Sequence, residues 1–410
     1  MSSVHWGCAS NMRWWIPFVT LFATALVTAL ATTPLARRLA WKLGSVDYPG
    51  GRRINCKPLP RMGGIAIFCS IVMAILVQVL GTVFFGWPSL SPFAARPAMA
   101  LHYPLLFLGL CVMFVTGLLD DFYELNPRQK LAGQLVAATI AVCGGLIIDV
   151  VVNPFSNEGI FLGWFAYPLT IGYLVAYANI FNLIDGLDGL ASGIACIASV
   201  TMWIVSTMAG HLDAAALAII IAGATLGFLR YNFNPASIIL GDSGSLLIGF
   251  LLGAVSLLSV QRVAGLTSII VPLVISGIPI MDTFSAIVRR GRAHVSIGQA
   301  DKGHIHHRLM YEGFNQRQTV LFIYLWTAML SVGSIVMTQV EVVPRIAIFC
   351  ALIIASAVFA MRLHLFRPVL LHYHNPVTGT DELVAPQDEA FEEAAEQFEE
   401  SHPLFPNVGD

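Results

Sequence analysis

The chain has 410 residues, of which 57% are hydrophobic and 11% charged, and a mean hydropathy of +0.75. These values exclude a water-soluble protein of two or three domains and indicate an integral membrane protein. A net charge of −2 and a pI near 6.6 leave no basic domain, so nucleic acid is set aside as a partner.

Apolar runs of about 16 to 25 residues recur near 14–35, 62–85, 103–119, 131–152, 164–184, 190–209, 213–229, 244–260, 266–288, 319–340 and 344–361. Eleven such runs predict an all-α polytopic membrane protein. The first is too long for a signal peptide and is followed by Arg37-Arg38, a stop-transfer pattern, so it reads as a retained span. Taken alternately, the connections on one side hold 18 of the 22 Lys and Arg residues and those on the other hold four. Positive residues collect on the cytoplasmic side, which puts the N-terminus outside and the C-terminus in the cytoplasm. The seven cysteines are scattered, without CxxC or metal-ligand spacing, and read as small buried hydrophobes.

The unusual polar clusters all fall in the basic connections, at 37–61, 120–130, 182–190, 230–245 and 289–318. Beyond a membrane domain of residues 1–374, the segment 375–410 carries ten of the 24 acidic residues and no Lys or Arg. It is expected to be a solvated, largely disordered tail, with a short helix over 386–400 as the alternative.

Asn182, Asp185 and Asp188 follow one another at three-residue spacing between two apolar runs. Carboxylates at a membrane edge are costly and point to function. Oxygen donors on roughly one helical face suit Mg²⁺ and a phosphorylated ligand. Asp120 and Asp121 close the third run and want cations, which Lys130 and Arg128 offer; they read either as an ion-pair cluster or as part of a metal and phosphate site. Asp242, in Gly241-Asp-Ser-Gly-Ser245, stands at a helix start, either as a cap or as a metal ligand, with the helix start itself a seat for phosphate. His304, His306 and His307 with Arg308 concentrate donors for an anion; no cysteine or further histidine at ligand spacing supports zinc. Asp282, the one acid well inside a run, lies about two turns before Arg289, which suggests a structural pairing. Carboxylates for a metal, cations for phosphates and a membrane location together fit phosphoryl transfer.

The segments Pro60-Arg61-Met-Gly-Gly64, Gly117-Leu-Leu-Asp120-Asp121 with Lys130, Asn182-Leu-Ile-Asp185-Gly-Leu-Asp188-Gly-Leu190, Asn232-Phe-Asn-Pro235, Gly241-Asp-Ser-Gly-Ser245 and His304-Ile-His-His-Arg-Leu309 occur in this order across about residues 45–310. In these motifs the chain resembles the polyprenyl-phosphate N-acetylhexosamine-1-phosphate transferases, most of all the bacterial undecaprenyl-phosphate N-acetylglucosamine-1-phosphate transferase group. The resemblance implies transfer of a sugar 1-phosphate from a UDP-N-acetylhexosamine to undecaprenyl phosphate with release of UMP, a first membrane step of cell-envelope polysaccharide synthesis. It implies a multi-pass protein of the bacterial cytoplasmic membrane with its site on the cytoplasmic face, and leaves a homodimer open. By motif position, Asp120, Asp121 and Asp185 are expected to be catalytic, the Asp pair beside the lipid phosphate. Asn182 and Asp242 are expected to hold Mg²⁺, with Mn²⁺ as the alternative. Lys57, Lys130, Asp188, His304, His306, His307 and Arg308 are expected to bind substrate, Asp188 at the uracil. Two positions depart from the pattern: Asn55 stands where relatives often carry His, and Arg308 replaces the third histidine of a longer run. The short first-loop motif and the HIHHRL form set the chain apart from the phospho-MurNAc-pentapeptide translocases, the nearest alternative. A secondary transporter would instead carry its ionisable groups near mid-membrane.

Overall fold

Helix occupies each of the eleven apolar runs in the computed structural model, which describes residues 14–48, 58–87, 101–152, 159–260, 270–292, 303–366, 371–374 and 381–384, together with 390, 393 and 397. In chain order the helices are α1 (Ile16–Leu43), α2 (Gly63–Phe85), α3 (Tyr103–Tyr123), α4 (Pro127–Cys143), α5 (Ala166–Ile184), α6 (Leu190–Met208), α7 (Leu212–Asn232), α8 (Gly241–Val260), α9 (Ile270–Ile275), α10 (Gly277–Arg292), α11 (Ile305–Tyr311), α12 (Gln316–Gln339) and α13 (Val342–Arg362). Among the described residues nine are long and apolar enough to cross a membrane: α1, α2, α3, α5 with the turn before it, α6, α7, α8, α12 and α13.

Among the described residues the other two runs are helical over a shorter and a broken stretch. In the fourth, Asn126 caps α4 in a capping box with Gln129 and Pro127 takes the first turn, so the helix starts earlier than the apolar residues do. It stops at Cys143, before Gly144 and Gly145, the latter at φ 93°. The remaining apolar residues lead into the strand Val150–Val152, paired antiparallel with Gly159–Phe161. The ninth run breaks at Ser276 into α9 and α10. Pro279 there has no N–H to give the carbonyl one turn back.

Several helices outrun their apolar stretches. α1 continues through Arg37, Arg38 and Lys42 before Gly44, at φ 74°, ends it, so the first connection is helical at its start. α3 runs past Asp120 and Asp121 to Tyr123, and α8 begins at Gly241 with Asp242 in its first turn. The expected tail also carries local structure: Asp381–Val384 pairs antiparallel with Leu371–His374.

α7 and α8 form the buried centre of the bundle, and α13 lies on its outside. Small residues allow the close approach. A Cβ at Gly223 or Gly227, one turn apart on α7, would lie within 2.5 or 2.6 Å of a carbonyl oxygen of α1. The same device brings α3 onto α8, where a Cβ at Gly117 would meet the Asp242 carbonyl oxygen at 2.5 Å. Glycine contacts thus bring the polar ends of α2, α3 and α8 together.

Candidate active site

A short hairpin fixes one side of the site. The strands Val46–Asp47 and Leu59–Pro60 pair antiparallel, and the Arg61 N–H donates to the Ser45 carbonyl at 3.0 Å. Two and three residues on, the amides of Gly63 and Gly64 donate to the carbonyls of Ile239 and Leu240 just before α8. This places the Arg61 guanidinium 3.3 Å from Asp242, 3.8 Å from Asp121, 3.9 Å from Asp47 and 4.0 Å from Glu124. Burial by itself would lower its pKa, but the charges of Asp121, Asp242, Asp47 and Asp120 outweigh burial and raise it. Arg61 lies outside the expected set, although it stands in the Pro-Arg-Met-Gly-Gly motif; the signal is a basic residue two positions ahead of a glycine pair.

Asp121 is buried, and its carboxylate faces the first turn of α8. Oδ1 accepts the Asp242 N–H at 2.8 Å, while Oδ2 accepts the Ser243 N–H at 3.0 Å and the Ser243 hydroxyl at 2.5 Å. The expected phosphate seat at this helix start is therefore filled by a carboxylate of the chain itself, because those donors must be satisfied once buried. Gly241, at φ 74°, permits the turn, and a Cβ there would stand 2.7 Å from the Asp121 oxygen.

Lys130 is the hub of the next layer. Its ammonium lies 2.8 Å from Asp120 Oδ2, 3.0 Å from Asp242 Oδ1 and 3.1 Å from Asn182 Oδ1. Asp120 also accepts the Leu125 N–H through Oδ1. The Asn182 amide donates to Asp242 and, at 2.9 Å, to Ser245 Oγ. α3, α8 and the end of α5 thus aim oxygens at one cation.

Beside this hub opens a cavity of about 340 Å³ lined by Asn182, Asp185, Asp188 and Asp242, by Asp47 and Arg61, and by His304, His306 and His307. Asp185 ends α5, and its carboxylate makes no hydrogen bond among the described residues. Burial, then the charges of Asp242 and Asp121, hold its pKa well above the usual carboxylate value. Asp188 is tied by one oxygen to the Asn234 side chain at 3.1 Å and the Ala236 N–H at 3.0 Å; burial raises its pKa against those hydrogen bonds.

The connection between α5 and α6 is held from outside by two neighbours. Asn232 Oδ1 accepts the Gly189 N–H and the Ser192 hydroxyl, and the Tyr324 hydroxyl of α12 donates to the Gly189 carbonyl at 2.5 Å. Gln316 of α12 accepts from Asn234 at 2.6 Å. The penultimate span, which lies beyond the last motif of the sequence, thus supports the site.

The histidines arrive on α11. His304 precedes the helix, its ring parallel to that of His306 with centroids 5.7 Å apart, and His306 lies 4.3 Å from His307. A Cβ on Gly186 would touch His306 Nε2 at 2.7 Å, so this loop packs directly on the Asp185 to Asp188 turn. Burial, then His307 and His304, push the His306 pKa well down, and its buried Nδ1 makes no hydrogen bond among the described residues. Arg308 is half-buried on α11 and does not line the cavity. Lys57 and Asn55 lie outside the described residues.

Asp282 does not pair with Arg289. Its partners are His304 and the Ile305 N–H, whereas Arg289 donates to Ser285 Oγ and to the Leu365 carbonyl.

Among the described residues no three His, Cys, Asp or Glu side chains are already clustered to ligate one ion. The donors around Lys130 are nevertheless hard oxygens from two carboxylates and an amide converging on a positive charge. That is the donor chemistry of Mg²⁺, not of zinc. Cations, carboxylates and histidines around one cavity at the ends of membrane helices define a membrane-embedded enzyme that handles anionic groups.

Residues 103–260 match glycosyl transferase family 4. The chain is 38% identical over 345 residues, 84% of its length and 92% of the relative's, to a probable undecaprenyl-phosphate N-acetylglucosaminyl 1-phosphate transferase of Bacillus subtilis. It is 35% identical over 332 residues, 76% of its length and 80% of the relative's, to a decaprenyl-phosphate N-acetylglucosaminephosphotransferase of Mycobacterium tuberculosis. A phospho-N-acetylmuramoyl-pentapeptide-transferase of Halalkalibacterium halodurans is 30% identical over 332 residues, 75% of this chain and 93% of that one. The chain belongs to glycosyl transferase family 4, among its polyprenyl-phosphate sugar-1-phosphate transferases.

Proposed function

We propose that the protein transfers N-acetylglucosamine 1-phosphate from UDP-GlcNAc to undecaprenyl phosphate, releasing UMP, at the cytoplasmic face of a bacterial cytoplasmic membrane. The observation that carries the reading is the cation-bridged cradle of Asp120, Asp242 and Asn182 opening into a cavity that also holds three histidines. An oxygen of the lipid phosphate bonds to the phosphorus that bears the sugar, and the bond from that phosphorus to the UMP phosphate breaks. Such a transfer is driven by positioning and charge neutralisation.

Asn182 and Asp242 hold the divalent cation, Mg²⁺ or Mn²⁺, which when bound neutralises diphosphate charge. Lys130 and Arg61 add fixed positive charge beside the same oxygens. His304, His306 and His307 meet the diphosphate across the cavity. Asp188 offers its second oxygen to the uracil N–H. Asp120 orients the lipid phosphate, Asp121 keeps α8 and therefore Asp242 in place, and Asp185, uncommitted in its hydrogen bonding, is the carboxylate placed to take a proton.

The test uses the full chain in detergent with undecaprenyl phosphate, Mg²⁺ and a panel of UDP-sugars including UDP-GalNAc and UDP-MurNAc-pentapeptide. UMP release that needs lipid and metal and is greatest with UDP-GlcNAc is the expected result. Release only with the pentapeptide donor, or independent of lipid, overturns the reading.

A further inference from the structure

A carboxylate buried inside a membrane bundle needs partners that repay its desolvation. Asp282 of α10 is 1% exposed and makes two such contacts, both to the histidine loop. One oxygen accepts the Ile305 N–H at 2.8 Å, and the other lies 2.7 Å from His304 Nδ1. A carboxylate that already accepts the Ile305 amide acts as acceptor toward the imidazole as well, so the proton of that second bond sits on Nδ1. Nε2 is then the ring nitrogen through which His304 meets a ligand in the cavity it lines.

The rest of α10 supports the same loop. One and two turns past Asp282, Ser285 and Arg289 continue its buried face, and Arg289 Nη1 donates to Ser285 Oγ at 2.9 Å and to the Leu365 carbonyl at 2.5 Å. A Cβ on Gly303 would lie 2.5 Å from Arg289 Nε, so the residue before His304 rests on that guanidinium. The rings of His304 and His306 are within 3° of parallel, and His306 packs on Gly186. The order of contact is therefore Asp282, His304, His306, then the turn that carries Asp185 and Asp188.

We propose that Asp282 is a positioning residue of the transferase: it fixes the ring orientation and tautomer of His304 and anchors α11, so that the histidine loop presents one preformed surface to the diphosphate of the nucleotide-sugar donor. This rests on the assignment of that loop to the donor diphosphate.

The experiment measures KM and kcat for UDP-GlcNAc and for undecaprenyl phosphate in Asp282→Asn, Asp282→Ala, His304→Ala and the double variant Asp282→Asn/His304→Ala, all in the purified full chain. Losing the partner that orients a functional histidine costs about tenfold to a hundredfold. Asp282→Asn is expected to raise KM for UDP-GlcNAc by about tenfold and leave KM for the lipid within about twofold. The double variant is expected to be no worse than His304→Ala, since both changes remove one function. If Asp282→Ala is not recovered as a monodisperse protein, the isosteric Asn variant carries the test. Equal KM values in Asp282→Asn and wild type, or losses that multiply in the double variant, overturn the proposal. A His304→Ala enzyme with unchanged kinetics instead overturns the assignment of the loop on which it rests.

Discussion

The carboxylate of Asp121, at the end of α3, receives the backbone N–H of both Asp242 and Ser243, at 2.8 and 3.0 Å. A residue of one helix thereby caps another, and the cap is applied where Asp242 must be held. Asp121 therefore contributes to the site through the backbone of α8, while Asp242 keeps its side chain for Lys130, Arg61 and Asn182.

Asp121→Ala is expected to unfold at lower temperature as well as to lose activity. Removing a helix cap costs about 1–2 kcal/mol, and the Ser243 hydroxyl and two amides are left buried without an acceptor. Thermal unfolding in detergent beside a UMP-release assay checks this. Activity lost at an unchanged unfolding midpoint places Asp121 in the chemistry instead.

Gly241→Ala tests the same junction from the other side. A side chain at φ 74° costs about 1–3 kcal/mol, and the new Cβ would press on both Asp121 oxygens, at 2.7 and 2.8 Å. The variant should lose stability comparable to Asp121→Ala, and combining the two should cost less than their sum, because each disrupts one contact. Fully additive shifts of the unfolding midpoint argue that Gly241 and Asp121 act separately.

How much of this was legible in the sequence depends on which physical signal each feature leaves. Hydrophobic length located every helix but the short α11, and the clustering of Asp120, Lys130, Asn182 and Asp242 followed from polar groups stranded at the ends of apolar runs. Hydrophobic length does not distinguish helix from strand, so residues 146–152 read as the end of α4 when Gly144 and Gly145 stop it. It is equally blind to a break such as that at Ser276. The partner of Asp282 was not legible either: Arg289 lies on the same helix face, but His304 reaches the carboxylate from a segment 22 residues away. Arg61 took its place through a hairpin whose pairing leaves no periodic signature over two-residue strands.

His306 makes stability depend on pH. In the unfolded chain its imidazole takes a proton near pH 6.5, whereas in the fold burial, then His307 and His304, hold the pKa well below that value. Between the two values the unfolded state binds the extra proton. The stability from keeping this ring neutral is therefore fully present above about pH 6.5 and falls as pH drops below it, by at most about 1.4 kcal/mol per pH unit. Unfolding midpoints from pH 7.5 down to 5.5 should decline, and His306→Gln should flatten the decline. An identical pH slope in the variant assigns the acid sensitivity to other groups.

Metal binding should be visible without turnover. Asp242, Asn182 and Asp120 direct oxygens at the Lys130 ammonium, and a divalent cation seated among the same donors stabilises the fold by mass action, about 2.7 kcal/mol at a hundredfold excess over its Kd. Mg²⁺ is expected to raise the unfolding midpoint of the wild-type chain and chelation to reverse it. Asp242→Asn should abolish the shift because it removes the charged ligand. Lys130→Met removes the competing ammonium, so in that variant Mg²⁺ should saturate the shift at a lower concentration even though transferase activity is lost. A Mg²⁺ shift that survives unchanged in Asp242→Asn moves the metal away from this cradle.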